Sequence, residues 1–262
     1  MGKLGSMTAF TAEAALWVTG AALIASAAGA HWDFDPSGQI SRIIAGPTAS
    51  PGQSSGPTLT PGASPTIAPT VQKFMAFMSN SKVQYKVKLS ITANATVAGK
   101  ALSLSESGTD LHDAAGNESE SLRMTANGEV TTTDSVNIGG TKYLSENGGP
   151  WTKSPRGKSD NLLDGSITFV EAGTETKNGE QLHRLDLADT TAFTKSMMSG
   201  LGAGAGDAQF TLSAWVHDDG TPALVVADGW GDMLTSGIKV RLTMRMEMRF
   251  IPMPSVTITA PI

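Results

Sequence analysis

Ile238-Lys239-Val240-Arg241-Leu242-Thr243-Met244-Arg245-Met246-Glu247-Met248-Arg249-Phe250 decides the fold of this chain. Apolar side chains hold every second position, and Lys239, Arg241, Thr243, Arg245, Glu247 and Arg249 fill the positions between. A period of two belongs to a strand, whose successive side chains point to opposite faces. One face is apolar and buried and the other charged and wet, as in an antiparallel sheet packed on one side. The run exceeds the usual strand length of up to about 10 residues, and long strands in one sheet twist and coil. A coiled sheet with few helices leaves space under its concave face. Met244, Met246 and Met248 are consecutive inward positions. Methionine adapts its shape to irregular apolar surfaces, which suits either a ligand cavity or the filling of an ordinary core.

The same alternation recurs outward from this strand. Val83, Tyr85, Val87, Leu89 and Ile91 alternate with Lys82, Gln84, Lys86, Lys88, Ser90 and Thr92, a second long strand with one buried face. Between Ala98 and Lys153, shorter strands are marked by Leu102 and Leu104, by Leu122, Met124 and Ala126, by Val130, Val136 and Ile138, and by Tyr143. Gly116-Asn117, Gly139-Gly140 and Gly148-Gly149-Pro150 break them. Short spacings with tight turns mean an antiparallel meander, because parallel strands need crossover helices. Ser159 to Asp164 reads as a helical turn and Ile167 to Glu175 as a strand. Asn178-Gly179 turns it into a return strand through Leu182, Leu185 and Leu187. Phe210, Leu212, Ala214 and Val216 mark another strand, and Asp219-Gly220 turns it into Ala223–Ala227. Asp228-Gly229-Trp230-Gly231 reads as a loop, and Val256 to Ala260 as a short edge strand.

Two segments carry helical spacing. Val71, Phe74, Met75 and Met78 fit i, i+3, i+4, i+7, with Thr70 as cap and Pro69 as a stop. Asp189 can cap a second helix carrying Phe193, Met197 and Leu201, ended by Gly200 and Gly202.

The N-terminal part is of another kind. Lys3 precedes an apolar, Ala-rich run from Ala14 to Ala30 that closes Ala28-Gly29-Ala30 before polar residues. Residues 1–30 are thus a signal peptide or an N-terminal membrane anchor, and the chain is expected to be exported, envelope-associated or secreted. Residues 31–70 are a linker, with Pro47, Pro51, Pro57, Pro61, Pro65 and Pro69 among Ser, Thr and Gly. The folded domain is 71–262.

Composition narrows function by exclusion. The 262 residues include no Cys, which removes disulfides, Cys-ligated zinc and Cys nucleophiles. A formal net charge of −5 argues against nucleic acid as a partner. His112, His183 and His217 lie apart with no metal-ligand spacing, and His112-Asp113 and His217-Asp218-Asp219 read as polar hairpin tips. Gly200 to Gly206 lacks the dinucleotide-loop spacing and follows a helix, so it is a connection. No cofactor and no enzyme activity is indicated. The apolar rows Val83, Tyr85, Val87, Leu89, Ile91 and Val240, Leu242, Met244, Met246, Met248 are the candidate site, as the lining of a cavity.

The order of motifs resembles a known family. Val136-Asn137-Ile138-Gly139-Gly140-Thr141-Lys142-Tyr143-Leu144 is followed by Gly148-Gly149-Pro150-Trp151-Thr152-Lys153. Asn178-Gly179 with Leu182-His183-Arg184-Leu185 comes next. Ala214-Trp215-Val216-His217-Asp218-Asp219-Gly220-Thr221-Pro222 and Val256-Thr257-Ile258-Thr259-Ala260-Pro261 close the series. Over Val71 to Ile262 this resembles the LppX/LprG family of exported lipid-binding lipoproteins and, more distantly, the LolA-type lipoprotein carriers. The resemblance implies an α+β fold, a large curved antiparallel sheet forming a half-barrel around a few helices with an apolar cavity. It implies a lipid or acyl chain as partner, and lipid or lipoprotein transfer outside the cytoplasmic membrane. Family members are anchored through a lipidated Cys that this chain lacks, so its N-terminal helix would hold it at a membrane, or it is released. The alternative is a cell-envelope structural or adhesion module with a filled core and no ligand.

Overall fold

Alternation becomes pairing in the computed structural model, which describes residues 67–78, 82–97, 100–126, 128–155, 168–200, 207–235 and 238–261. Expectations for residues 1–66, for Ser159 to Asp164 and for the Gly-rich connection after Gly200 lie outside these residues. The strands are β1 (Tyr85–Val97), β2 (Lys100–His112), β3 (Glu118–Ala126), β4 (Glu129–Ile138), β5 (Thr141–Glu146) and β6 (Thr152–Pro155). After them come β7 (Phe169–Lys177), β8 (Glu180–Leu187), β9 (Ala208–Val216), β10 (Pro222–Thr235) and β11 (Ile238–Pro252). Helix α1 spans Pro69–Met78 and α2 spans Thr191–Gly200.

All the strands join one curved antiparallel sheet in the order β6-β5-β4-β3-β2-β1-β11-β10-β9-β8-β7. Two meanders, β1 to β6 and β7 to β11, meet where β1 pairs with β11, and β6 and β7 are its open edges. A large unclosed sheet with few helices has the form of a half-barrel. Its tight turns are built as the sequence requires: Asn178 and Gly179 both take positive φ (53° and 85°), as do Gly139 and Gly140, the geometry of two-residue hairpin turns.

The register places the apolar rows on one face. Val87 lies opposite Phe250, Leu89 opposite Met248, Ile91 opposite Met246 and Ala93 opposite Met244. Phe210, Leu212, Ala214 and Val216 of β9 and Val225 and Ala227 of β10 extend this face. Both helices close over it. Val71, Phe74 and Met75 of α1 are buried, and the Phe74 ring meets Phe169 of β7 edge-on at 5.3 Å. Asp189 Oδ1 caps α2 by accepting from Thr191 N–H at 2.8 Å. The Thr194 hydroxyl then pins the helix to β9, accepting from Phe210 N–H at 3.0 Å.

Four local readings change. Thr70 lies inside α1 and does not cap it, because the helix begins at Pro69, which limits it backwards yet fits the first position, where the missing N–H would be unpaired anyway. Asp228 to Gly231 continue β10 and form no loop. The inward space at Gly229 and Gly231 is already taken, by the Phe210 ring and by Met198. Val256 to Ala260 form no strand, because their backbone donors are met by side chains: Gln84 Oε1 accepts from Val256 N–H and Asp113 Oδ2 from Ile258 N–H. Leu182 faces away from Leu185 and joins Trp215 and Val226 in a small second cluster on the convex side.

That convex side holds the charges in pairs. Asp232, 2% exposed, accepts two bonds from Arg241 at 2.8 and 2.9 Å, and the Arg241 guanidinium lies 4.1 Å from the Trp230 ring centre. Lys177 and Arg184 sit over Trp215, whose indole N–H donates to Glu175 at 2.9 Å.

The two inward glycines of β10 should respond unequally to a methyl group. A Cβ at Gly229 meets the Gln209 carbonyl and lies 2.6 Å from Phe210 Cδ1, neither of which can withdraw. At Gly231 it meets Met198 Sδ at 2.5 Å, the end of a flexible chain. Gly229→Ala is expected to cost ~1–3 kcal/mol as overpacking, and Gly231→Ala clearly less, in urea unfolding.

Candidate functional site

The inward rows of β1 and β11 end in a half-open cleft of about 460 Å³. Phe77, Val83, Gln84, Tyr85, His217, Asp219, Thr221, Phe250 and Pro252 line it. Four parts of the chain bring these residues together. The last turn of α1 supplies Phe77, the paired ends of β1 and β11 supply Tyr85 and Phe250, and the β9–β10 turn supplies the polar lip. That turn is docked on α1. Gly220 has φ 84°, and a Cβ there would collide with the Lys73 and Phe74 backbone. Lys73 Nζ also donates to the Asp218 carbonyl at 2.7 Å.

The floor of the cleft is aromatic. Ring centres of Phe77 and Tyr85 are 5.8 Å apart, Tyr85 and Phe250 5.6 Å, and Phe77 and Phe250 6.4 Å. Such pairs add to the stability of apolar burial. The lip is polar: Asp219 Oδ1 accepts from Thr221 N–H at 2.9 Å, which holds its carboxyl below the usual range, and His217 Nδ1 lies 3.3 Å from Glu180.

Of the ten residues chosen from alternation, Val83 and Tyr85 line this cleft. Val83 lies just before β1, not within it. Val87, Ile91, Val240, Leu242, Met244, Met246 and Met248 are buried, and Leu89 packs half-buried against the same core. Phe77, Phe250 and the lip residues were not among the ten. Phe250 is legible as the next inward position after Met248, whereas Phe77 and His217 come from other elements and need the tertiary fold.

Behind Tyr85 the concave face turns acidic. The Tyr85 ring stacks on His112 at 4.4 Å, and His112 Nε2 lies 2.6 Å from Asp110 Oδ2. The register carries the inward phase of Leu102 and Leu104 on to Glu106, Asp110 and His112, and sets Glu120 opposite Asp110 and Glu118 opposite His112. Glu118 Oε2 accepts from Asn137 Nδ2 at 3.1 Å and Glu120 Oε2 from the Ser135 hydroxyl at 3.4 Å. Burial pushes the Glu106 carboxyl up to about 7. Burial, then the charges of Asp110 and Glu106, push Glu120 up to about 7. These acids are missed by polarity alone, which assigns any carboxylate to the wet face. Continuing the Leu102, Leu104 phase by two residues finds Glu106.

No family model and no curated protein matches this chain. Among solved structures it is similar to the crystal structure of Mycobacterium tuberculosis lipoprotein LppX. The two share 10% identity and a TM-score of 0.38 over 70% of this chain and 93% of that one. LprF from Mycobacterium bovis matches with 13% identity and a TM-score of 0.35 over 67% and 90%. A DUF1329 family protein from Desulfovibrio piger matches with 9% identity and a TM-score of 0.25 over 70% and 90%.

The raised acids set a pH dependence. Between about 4.5 and 7 the folded chain holds protons on Glu106 and Glu120 that the unfolded chain has released. Their contribution to stability is therefore full below about 4.5 and is lost as pH rises through about 7. Thermal midpoints should fall from pH 5 to pH 8, and Glu106→Gln with Glu120→Gln should flatten that fall. An unchanged slope in the double variant would show that neither acid is raised.

Proposed function

We propose that this chain is an extracytoplasmic module that binds the apolar chain of a lipid and hands it on. The chain enters at the aromatic cleft and lies along Val83, Tyr85, Val87, Leu89, Ile91, Val240, Leu242, Met244, Met246 and Met248. One observation carries the reading: the cleft opens where the two inward rows end, and Phe250 belongs to both, as a wall of the cleft and as the partner of Val87. Its volume of about 460 Å³ falls among small-molecule sites, which run from roughly 300 to 1,000 Å³. An apolar floor under a polar lip suits a ligand that carries both an apolar chain and a polar end. The Met row supplies side chains able to move aside for it. Residues 1–30 would deliver the domain across the cytoplasmic membrane, and residues 31–66, ahead of α1 and the Ile67 and Ala68 that pack on the core, would hold it at a distance.

A specific observation favours the second reading, a structural module with a filled core. Met244, Met246 and Met248 are 5%, 2% and 8% exposed and belong to one continuous core with both helices.

Binding of a dansyl-labelled undecanoic acid to the purified domain separates the two. Saturable binding is expected in the wild type. Val83→Trp, which fills the cleft mouth, should weaken it about tenfold, roughly 1.4 kcal/mol, with little change in unfolding. Met246→Trp should weaken it as well if the chain reaches that depth. No saturable binding in the wild type, with a strongly destabilised Met246→Trp, leaves the structural module as the account. Location has its own check: protease added to intact spheroplasts is expected to digest the domain, and full protection in the soluble cytosol would refute export.

A further inference from the structure

We propose that the acidic half of the concave face, at Glu106, Asp110 and Glu120, seats a primary ammonium head group, so that the lipid bound is a cationic amphiphile. This rests on the acyl-chain reading and adds the chemistry of the polar end.

The carboxyls share a face with the apolar rows. Glu106 lies opposite Ile91 on one side and Met124 on the other, and Asp110 opposite Val87 and Glu120. Glu106 is 3% exposed, yet its Oε1 has no hydrogen-bond partner among the described residues. Asp110 Oδ1 is likewise buried without a partner among these residues, while its other oxygen meets His112. A buried acceptor left unpaired is costly, and two of them face one strip of the sheet. Few other charges point there. Among the described side chains, the inward titratable groups of β2 to β5 are by register Glu106, Asp110, His112, Glu118, Glu120, Glu129, Lys142 and Glu146. Acids outnumber bases, and Asp110 and Glu106 each repel a charge on Glu120 while Lys142 offsets it in part. The inward positions of β1 beside them, Val87 to Ala95, carry no charge at all.

Such a strip selects among head groups. A carboxylate or phosphate would add to the repulsion. A hydroxyl could donate to one orphan oxygen but leaves the excess charge. An ammonium offers three N–H donors and a positive charge. It can donate to an orphan oxygen and its charge relieves the repulsion on Glu120. A metal ion is a poorer fit, since among the described residues no group of three His, Asp or Glu is placed to hold one. Leu122 and Met124, half-buried beside Glu106, are the side chains a head group would displace.

Chain-matched competitors test this. N-phenyl-1-naphthylamine bound to the domain is displaced by dodecylammonium, dodecanol or dodecanoate, below micelle-forming concentrations, at pH 6 and pH 8. Dodecylammonium is expected to displace at about tenfold lower concentration than dodecanoate at pH 8. Its lead should shrink at pH 6, because Glu106 and Glu120 take up protons as pH falls through about 7. In Glu106→Gln/Glu120→Gln the lead should vanish while dodecanol is unaffected. If that variant does not fold, the pH 6 and pH 8 comparison on the wild type decides. Equal displacement by all three, or a lead that survives the double substitution, overturns the ammonium seat and leaves the acyl-chain reading standing. If neither the fluorophore nor any dodecyl chain binds, both fall together.

Discussion

The pairing of β1 with β11 is the constraint on which the rest of the molecule depends. It joins the two meanders, and every inward side chain elsewhere takes its phase from it. Val87, Leu89, Ile91 and Ala93 meet Phe250, Met248, Met246 and Met244 across the ladder, while Lys88 meets Arg249 and Ser90 meets Glu247 on the other side. A slip of one residue would exchange these two sets, burying Arg245, Glu247 and Arg249 and exposing the Met row. The register is therefore fixed by the cost of burying charge more than by any single contact. The two helices follow from it, because the buried rows need a cover and α1 and α2 supply Val71, Phe74, Met75, Phe193 and Met197.

Much of this is legible in the sequence. A strict period of two in Ile238–Phe250 and Val83–Ile91 has one physical meaning, and glycine or Asn-Gly pairs between weaker rows mark their turns. Reading failed where a residue's role is set by something distant in sequence. Asp228-Gly229-Trp230-Gly231 looks like a loop because glycines weaken a strand. They are strand here because Phe210 and Met198 occupy the space a side chain would take. Val256 to Ala260 alternate like an edge strand, yet Gln84 and Asp113 hold the backbone instead of a neighbouring ladder. The candidate site divides in the same way. Tyr85 and Val83 were found by alternation, whereas Phe77, His217 and Asp219 arrive from other elements. Glu106 was hidden by the expectation that a carboxylate points to water.

The concave face thus has two chemistries in continuous contact. Tyr85 is the hinge between them, with Phe77 and Phe250 on one side of its ring and His112 stacked on the other. The C-terminal tail runs past the same end, tied to Gln84 before β1 and to Asp113 after β2. Asp113 also binds Ala115, Asn117 and the Asn117 side chain, which holds its carboxyl below the usual range. The apolar cleft and the acidic strip are therefore framed by one set of hydrogen bonds. A change at the tail would be felt by both.

The strand order carries a consequence for how the chain reaches this state. Almost every neighbour pair in the sheet is consecutive in sequence and forms locally, as a hairpin or, for β8 and β9, across α2. The exception is β1 with β11, which brings Tyr85 to Pro252. During synthesis the first meander emerges with the apolar edge of β1 unpaired, and it stays so until the last strand is made. Closing so long a loop comes late and makes folding slow relative to a helical protein of this size. For that interval Val87 to Ala95 form an open, sticky strand edge of the kind that aggregates. The molecule's central joint is thus also its last to close.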